Sequence, residues 1–249
     1  MKKVLTLMLA FTIILFAGCI FGSDDGKDDK SSETLSAADY LPFKTGSIWV
    51  YSDTETDNSQ SPPDVHISTS SMTCTGQETI NGKTYWKLID NEGYPSYLRI
   101  ENNDAYGFGF FEDMFEEPAL KGLQETGEML LFRFGVSTGT TWEVGSYDYS
   151  EEEYTLSTAI SGKYIGTESV TVPAGTYANC AKIEWTITVT SNISESPISV
   201  SFSINMYHWI APNVGPVKTT HESTYEDIID YTYESVLTSY TPGGSATPQ

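Results

Sequence analysis

The chain has 249 residues, with 34 acidic side chains against 13 basic ones and a formal charge of −21 at pH 7. That balance disfavours nucleic-acid binding, which needs Lys and Arg to displace counterions from phosphates, and it disfavours direct docking on an anionic membrane face. Cations and basic partners stay compatible with it, although self-repulsion for solubility requires no partner at all. Sixteen Tyr, 11 Phe and 5 Trp, among abundant Ser and Thr, make a composition suited to sheets.

Lys2 and Lys3 precede an apolar run, Val4 to Phe16, and small residues then lead to Cys19. The run is short for a membrane span and is followed by polar residues, so residues 1–18 read as a cleaved export signal. Leu15-Phe16-Ala17-Gly18-Cys19 resembles the lipobox of prokaryotic lipoproteins, which implies that Cys19 is lipidated and becomes the mature N-terminus. Two or three acyl chains, at about 0.8 kcal/mol per buried CH₂, hold a protein durably on a membrane. The expected location is extracytoplasmic, lipid-anchored in the cell membrane or the outer membrane. Residues 19–38 are rich in Asp, Ser, Gly and Lys with no apolar period, which reads as a disordered acidic tether with a reach of about 25 Å.

The β domain is expected over residues 39–241, followed by a disordered tail at 242–249. It opens with Tyr40-Leu-Pro-Phe-Lys-Thr-Gly-Ser-Ile-Trp, and Asp53–Asp64 reads as an acidic surface loop. Asn81-Gly82 is a two-residue hairpin signal between strands Cys74–Ile80 and Lys83–Ile89. Tyr97–Ile100 and Ala105–Phe111 form a further pair. Pro118 in Glu-Glu-Pro-Ala-Leu suggests one short helix. Later strands are expected at Tyr154–Thr167, Ile183–Thr190, Ile198–Ile210, Val217–Thr224 and Tyr231–Tyr240, about ten or eleven in all. Between them, Val170-Thr-Val-Pro-Ala-Gly-Thr-Tyr177 reads as strand, tight corner and strand, because Pro173 ends the ladder and Gly175 accepts positive φ.

Two echoes cross the chain. Thr45-Gly46 followed by Trp49 matches Thr138-Gly139 followed by Trp142. Gly76 and the hairpin after it match Gly166 and its hairpin, at nearly the same offset. A duplicated antiparallel unit, 39–130 and 131–241, is the economical reading.

Leu-Pro-Phe-Lys-x-Gly-x-x-Trp-x-Tyr, Val-Pro-Ala-Gly-Thr-Tyr-x-x-Cys-x-Lys-Ile, and Trp209-Ile-Ala-Pro-Asn-Val-Gly-Pro-Val-Lys218 resemble the motifs of a broad group of uncharacterised prokaryotic surface lipoproteins. The resemblance covers most of residues 39–240 and carries no catalytic residue with it. The fold class is thus mainly β, and the likeness implies a curved open sheet or half-barrel of the lipoprotein-carrier or lipocalin-like kind.

Candidate chemistry is sparse. Gly135-Val-Ser-Thr-Gly139 matches a nucleophile elbow as a string, but a strand follows where the elbow needs a helix. His66, His208 and His221 lack metal spacing; His208 and His221 on adjacent strands suggest a hydrogen-bonded structural pair. Glu151–Glu153 reads as a solvated loop. Cys74 and Cys180 either form a disulfide, worth about 4.7 kcal/mol for a loop of about 106 residues, or fill the core as small apolar groups. Tyr106, Phe108, Phe110, Phe111, Met114 and Phe115 form an aromatic run that plugs a curved sheet or lines a ligand pocket.

The expected function is a non-enzymatic binding or interaction module for an apolar or glycan ligand, or for an envelope protein, without cofactor or metal. The alternative is a structural envelope component. A hydrolase is the weaker alternative, since no nucleophile–base pair can be named.

Overall fold

The computed structural model describes residues 36–108, 127–150, 154–193, 199–225 and 228–244. The signal segment, Cys19, Phe110, Phe111, Met114, Phe115, Glu151–Glu153 and the expected helix at Pro118 lie outside them. Twelve strands form one antiparallel sheet: β1 (Ile48–Asp57), β2 (Asp64–Ile80), β3 (Lys83–Asp90), β4 (Pro95–Glu101), β5 (Asp104–Phe108), β6 (Met129–Arg133), β7 (Thr141–Ser150), β8 (Tyr154–Val172), β9 (Gly175–Ile193), β10 (Ser199–Ala211), β11 (Gly215–Tyr225) and β12 (Ile228–Thr241). The order is β6-β5-β4-β3-β2-β1-β12-β11-β10-β9-β8-β7, so paired neighbours are consecutive strands throughout except at β1 and β12, the first and last of the sheet in chain order. The expected half-barrel is therefore nearly a full one, since β6 and β7 come together.

Side chains rather than a ladder close that seam. The indole N–H of Trp142 donates to the Leu130 carbonyl at 3.1 Å, and that of Trp185 to the Leu131 carbonyl at 3.0 Å. The β6 edge would otherwise leave those carbonyls unpaired in an apolar interior, at roughly 1–3 kcal/mol each. Gly145 on β7 lets the Met129 side chain approach the sheet, and Gly162 on β8 lies directly beneath the Trp142 ring.

One end of the barrel is plugged. The hairpin β8–β9 bends at bulges near Gly166 and Val170, and its tip crosses to β12, where the Ala174 N–H donates to the Leu237 carbonyl at 3.0 Å. Val170 and Val172 are buried there. Helix α1 (Ala37–Tyr40) seals the same end. Ser36 and Asp39 form a reciprocal capping box that fixes its first turn, Ala37 is fully buried, and Tyr40 stacks on Phe134 at 4.8 Å. The first residues of this helix fall within 19–38, the segment expected to be tether. The acidic stretch expected as a loop from Asp53 also differs, because β1 continues as strand to Asp57, with Asp53 buried and accepting a hydrogen bond from the Tyr233 hydroxyl at 3.1 Å.

The two echoing corners share one geometry. Gly46 N–H donates to the Cys74 carbonyl at 2.8 Å, and Gly139 N–H to the Tyr164 carbonyl at 2.8 Å. Ser47 and Thr140 each accept a return bond, from Cys74 and Tyr164, at 2.9 Å. Gly46 and Gly139 hold φ of 87° and 85°, and the bulge residues Gly76 and Gly166 hold 138° and 134°, values that L side chains rarely adopt. Three residues after each Thr-Gly turn, Trp49 and Trp142 are buried. Their neighbours differ. Trp142 lies over β8 of its own hairpin, whereas Trp49 turns towards β11 and β12, stacking on Tyr240 at 5.3 Å and sitting against Gly215.

Candidate functional site

Strand alternation sorts the side chains of β8 to β12 and β1 into two faces. Ile183, Trp185, Ile187 and Val189 on β9 face the interior, and pairing carries that face to Met206 and His208 on β10. It continues through Val217, Thr219, His221 and Ser223 on β11 to Tyr231, Tyr233, Ser235 and Leu237 on β12, then to Asp53 on β1. The interior is thus aliphatic along β8 and β9 and polar-aromatic along β11, β12 and β1.

A histidine–aromatic cluster lies where the two walls meet. His208 stands edge-on to Trp185 at 4.4 Å and to Phe132 at 5.7 Å, while Phe132 stacks on Trp185 at 5.2 Å. Phe132 comes from β6, so this contact also holds the barrel shut. His221 packs between Tyr231 and Tyr233, at 5.7 and 5.1 Å. The two histidines are diagonal neighbours across β10 and β11, since His208 pairs with Thr219 and His221 with Met206. The hydrogen bond expected between them is replaced by one between His208 Nδ1 and Thr219 Oγ1 at 3.3 Å. The diagonal spacing puts the rings on one face without bringing their nitrogens together.

Among the described residues, four buried polar atoms on this inner face have no hydrogen-bond partner: His208 Nε2, His221 Nδ1, Thr158 Oγ1 and Ser191 Oγ. Thr158 and Ser191, diagonal neighbours on β8 and β9, are 2% and 7% exposed. Along β9 they lie about 14–27 Å from the histidine level, Thr158 the nearer, so the interior offers two polar spots at different heights. Unpaired buried polar groups are costly, and they recur where a water or ligand completes them. Burial, then the neighbouring His221, pushes His208 down to about 3, and burial lowers His221 as well. Both rings are neutral at pH 7. Burial, with Glu55 nearby, raises the Tyr231 hydroxyl to about 12. The cluster sets neutral imidazoles and Tyr hydroxyls inside an apolar wall, with the Asp53 and Glu55 carboxyl groups beside Tyr233 and Tyr231.

The aromatic run lies elsewhere. On β5, Ala105 and Gly107 take the core positions, so Tyr106 and Phe108 point to the outer face, contrary to the expectation that they fill or line the concavity. There Phe108 stacks on Tyr97 at 4.9 Å and meets Tyr85 edge-on at 5.3 Å, and the Arg99 guanidinium lies 4.4 Å from the Tyr106 ring. Glu128 organises this outer layer. It accepts hydrogen bonds from Arg99, from Lys83 at 2.7 Å and from the Tyr85 hydroxyl at 2.6 Å. Burial raises the Glu128 carboxyl, but the Arg99, Lys83 and Tyr85 hydrogen bonds outweigh it and hold it at about 2.

Cys74 and Cys180 are separate, buried free thiols, so the disulfide weighed from the sequence is not formed. Each fills a small core position on its own strand, β2 or β9. Among the described residues no group of three His, Cys, Asp or Glu side chains could hold a metal ion. Gly139 of the elbow-like string leads into β7, without a helix to lift Ser137. His208 and His221 lie inside a sheet whose alternation was legible, but their orphaned nitrogens had no sequence signal.

The family described as DUF3108-like matches residues 138–232, less than half of the chain. Comparison with curated proteins finds no match. Among solved structures, a candidate lipoprotein from Parabacteroides distasonis is similar at 18% identity and TM-score 0.45, over 80% of this chain and 96% of that one. A candidate exported protein with a YmcC-like fold from Bacteroides fragilis is similar at 12% identity and TM-score 0.39, again over 80% and 96%. The lipoprotein YmcC of Escherichia coli, described as hypothetical, is similar at 12% identity and TM-score 0.25, over 75% of this chain and 85% of that one.

Proposed function

We propose that the chain is an extracytoplasmic lipoprotein, anchored through Cys19, whose barrel interior binds a small, mainly apolar molecule without transforming it. The observation that carries this reading is the set of unpartnered polar atoms on an aromatic inner wall, His208 Nε2 and His221 Nδ1 foremost. Ligand sites in barrels combine apolar lining with a few convergent polar groups. Neutral imidazoles and Tyr hydroxyls suit an uncharged ligand with a hydroxyl, carbonyl or amide, whether a lipid-like molecule or a glycan carrying apolar substituents. A hydrolase is disfavoured at this site. The imidazole beside Thr219 has a pKa of about 3, which makes it a weak general base at neutral pH. Export and anchoring rest on the positive, apolar and small-residue pattern ending at Cys19. The matching corners at Gly46 and Gly139 support a duplicated unit as the origin of the barrel's two halves.

The test uses full-length Cys19→Ser protein, purified natively and weighed intact by native mass spectrometry. A non-covalent mass lost on denaturation is expected, and N-phenyl-1-naphthylamine should quench Trp185 in stripped protein but not in a His208→Phe, His221→Phe variant. An empty barrel that also excludes the dye would overturn the binding reading and favour a structural envelope component.

A further inference from the structure

Among the described residues, no strand pairs with the outer side of the upper part of β2. From Asp64 to Ser71 the strand pairs with β1 on one side, while β3 joins it only from Met72 onward. The hydrogen bond from Cys74 N–H to the Ser47 carbonyl fixes which residues point at β1. Even-numbered residues of this stretch bond to β1, so the N–H and C=O groups of Val65, Ile67 and Thr69 face away from it. Ser71, the next in that series, donates its N–H to Asn91 Oδ1 at 3.2 Å, which marks where the free edge stops. The outward residues also carry the most exposed large apolar side chains of the described protein, Val65 at 53% and Ile67 at 67%. Natural edges are usually blunted by Lys, Pro or a bulge. None of these occurs between Asp64 and Ser71, and the β1–β2 register runs through it without a break.

The charge around the edge has one sign. No Lys or Arg occurs between Lys44 and Lys83, while Asp53, Glu55, Asp57, Asp64 and Glu78 do. Asp57 and Asp64 face each other at the upper end of the edge, and Glu92, next to Asn91, stands exposed at the lower end. The distance from Asp64 to Ser71 is about 24 Å at the rise of a strand. A second copy would bring a further charge of −21 to the same place, which opposes self-pairing.

We propose that this edge is a strand-addition site for an extended segment of a partner protein, with apolar residues at alternate positions and Lys or Arg at both ends. The added strand pairs its backbone with Val65, Ile67 and Thr69, packs its apolar side chains on Val65 and Ile67, and sets its basic ends near Asp57–Asp64 and Glu92. Backbone pairing supplies the affinity in this mode and side-chain placement the specificity.

The probe is the peptide acetyl-Lys-Lys-Thr-Val-Thr-Val-Thr-Lys-amide, fluorescein-labelled, titrated by anisotropy into full-length Cys19→Ser protein at low salt. Saturable binding below about 1 mM is expected, with slowed amide exchange at Val65, Ile67 and Thr69. Ile67→Pro removes an outward N–H without touching the β1 ladder, so binding should weaken at least about tenfold while the melting temperature holds. Ile67→Lys, which keeps the backbone, should weaken it as well and serves if the Pro variant fails to fold. Replacing each peptide Lys by Glu should also cost at least about tenfold. Equal binding by Ile67→Pro and Ile67→Lys, equal binding of the Glu peptide, or no saturation would overturn the proposal. A solution dimer abolished by Ile67→Lys would overturn it in favour of self-pairing.

Discussion

Gly162→Ala tests how the barrel is closed. A Cβ at this position would lie 2.2 Å from Trp142 Cε2 and 2.4 Å from Cζ2, against the 3.5–4.0 Å at which carbon atoms rest. Gly162 is not among the residues with positive φ, so alanine meets no backbone strain there and the effect is steric. Neither neighbour can yield cheaply, because the ring is 7% exposed and its indole N–H is bonded to the Leu130 carbonyl. Overpacking costs about 1–3 kcal/mol. Loss of the seam bond leaves a buried carbonyl unpaired for about 1–3 more. The expected destabilisation is therefore about 2–6 kcal/mol, read from urea unfolding followed by circular dichroism. Two companions isolate the cause. Gly145→Ala at the same seam meets only the flexible Met129 side chain, at 3.2 Å, and should cost under about 1 kcal/mol. In a Trp142→Leu background the ring is gone, so Gly162→Ala should cost under about 0.5 kcal/mol or stabilise slightly through the unfolded chain. An equal cost in both backgrounds, or a negligible one in the parent, would refute ring-over-glycine packing as the device that shuts the seam.

Glu128→Gln should destabilise the protein by about 3 kcal/mol at neutral pH. Its carboxyl sits near 2 when folded, below its unfolded value, so the contribution is present above pH 4.5 and is lost as pH falls towards 2; the variant should lack that part of the acid limb in a pH series of urea midpoints. His208 acts at higher pH. Its folded value of about 3 lies below the unfolded 6.5, so the unfolded chain takes up the proton first and stability falls as pH drops from 6.5 towards 3. His208→Phe should flatten that slope, and an unchanged slope would mean that His208 is not held neutral by burial. Cys74 and Cys180 should resist Ellman's reagent in native Cys19→Ser protein and give two thiols in unreduced, unfolded protein; fewer would indicate a bridge or an oxidised form. Cys19→Ser should release the chain from membranes, and undiminished membrane partition would sink the lipobox reading.

The sequence by itself determined the strand runs and several of their turns. Asn81-Gly82 forms the β2–β3 turn with both residues at positive φ, and Pro173-Ala174-Gly175 forms the corner of β8–β9, because these requirements are local to one or two residues. The pairing of Thr-Gly turns with later tryptophans was legible for the same reason. Closure was not, since it depends on Phe132, Trp142 and Trp185 meeting across the join between β6 and β7, and no periodicity encodes which strand ends the sheet. The direction of Tyr106 and Phe108 also turned on tertiary structure. Alternation states that they share a face, but only the neighbours Leu98 and Ile100 fix that face as the outer one. The site follows the same division. His208 and His221 were visible as strand residues, yet their neutrality and orphaned nitrogens arise from burial among Trp185, Tyr231 and Tyr233, which only the folded barrel brings to them.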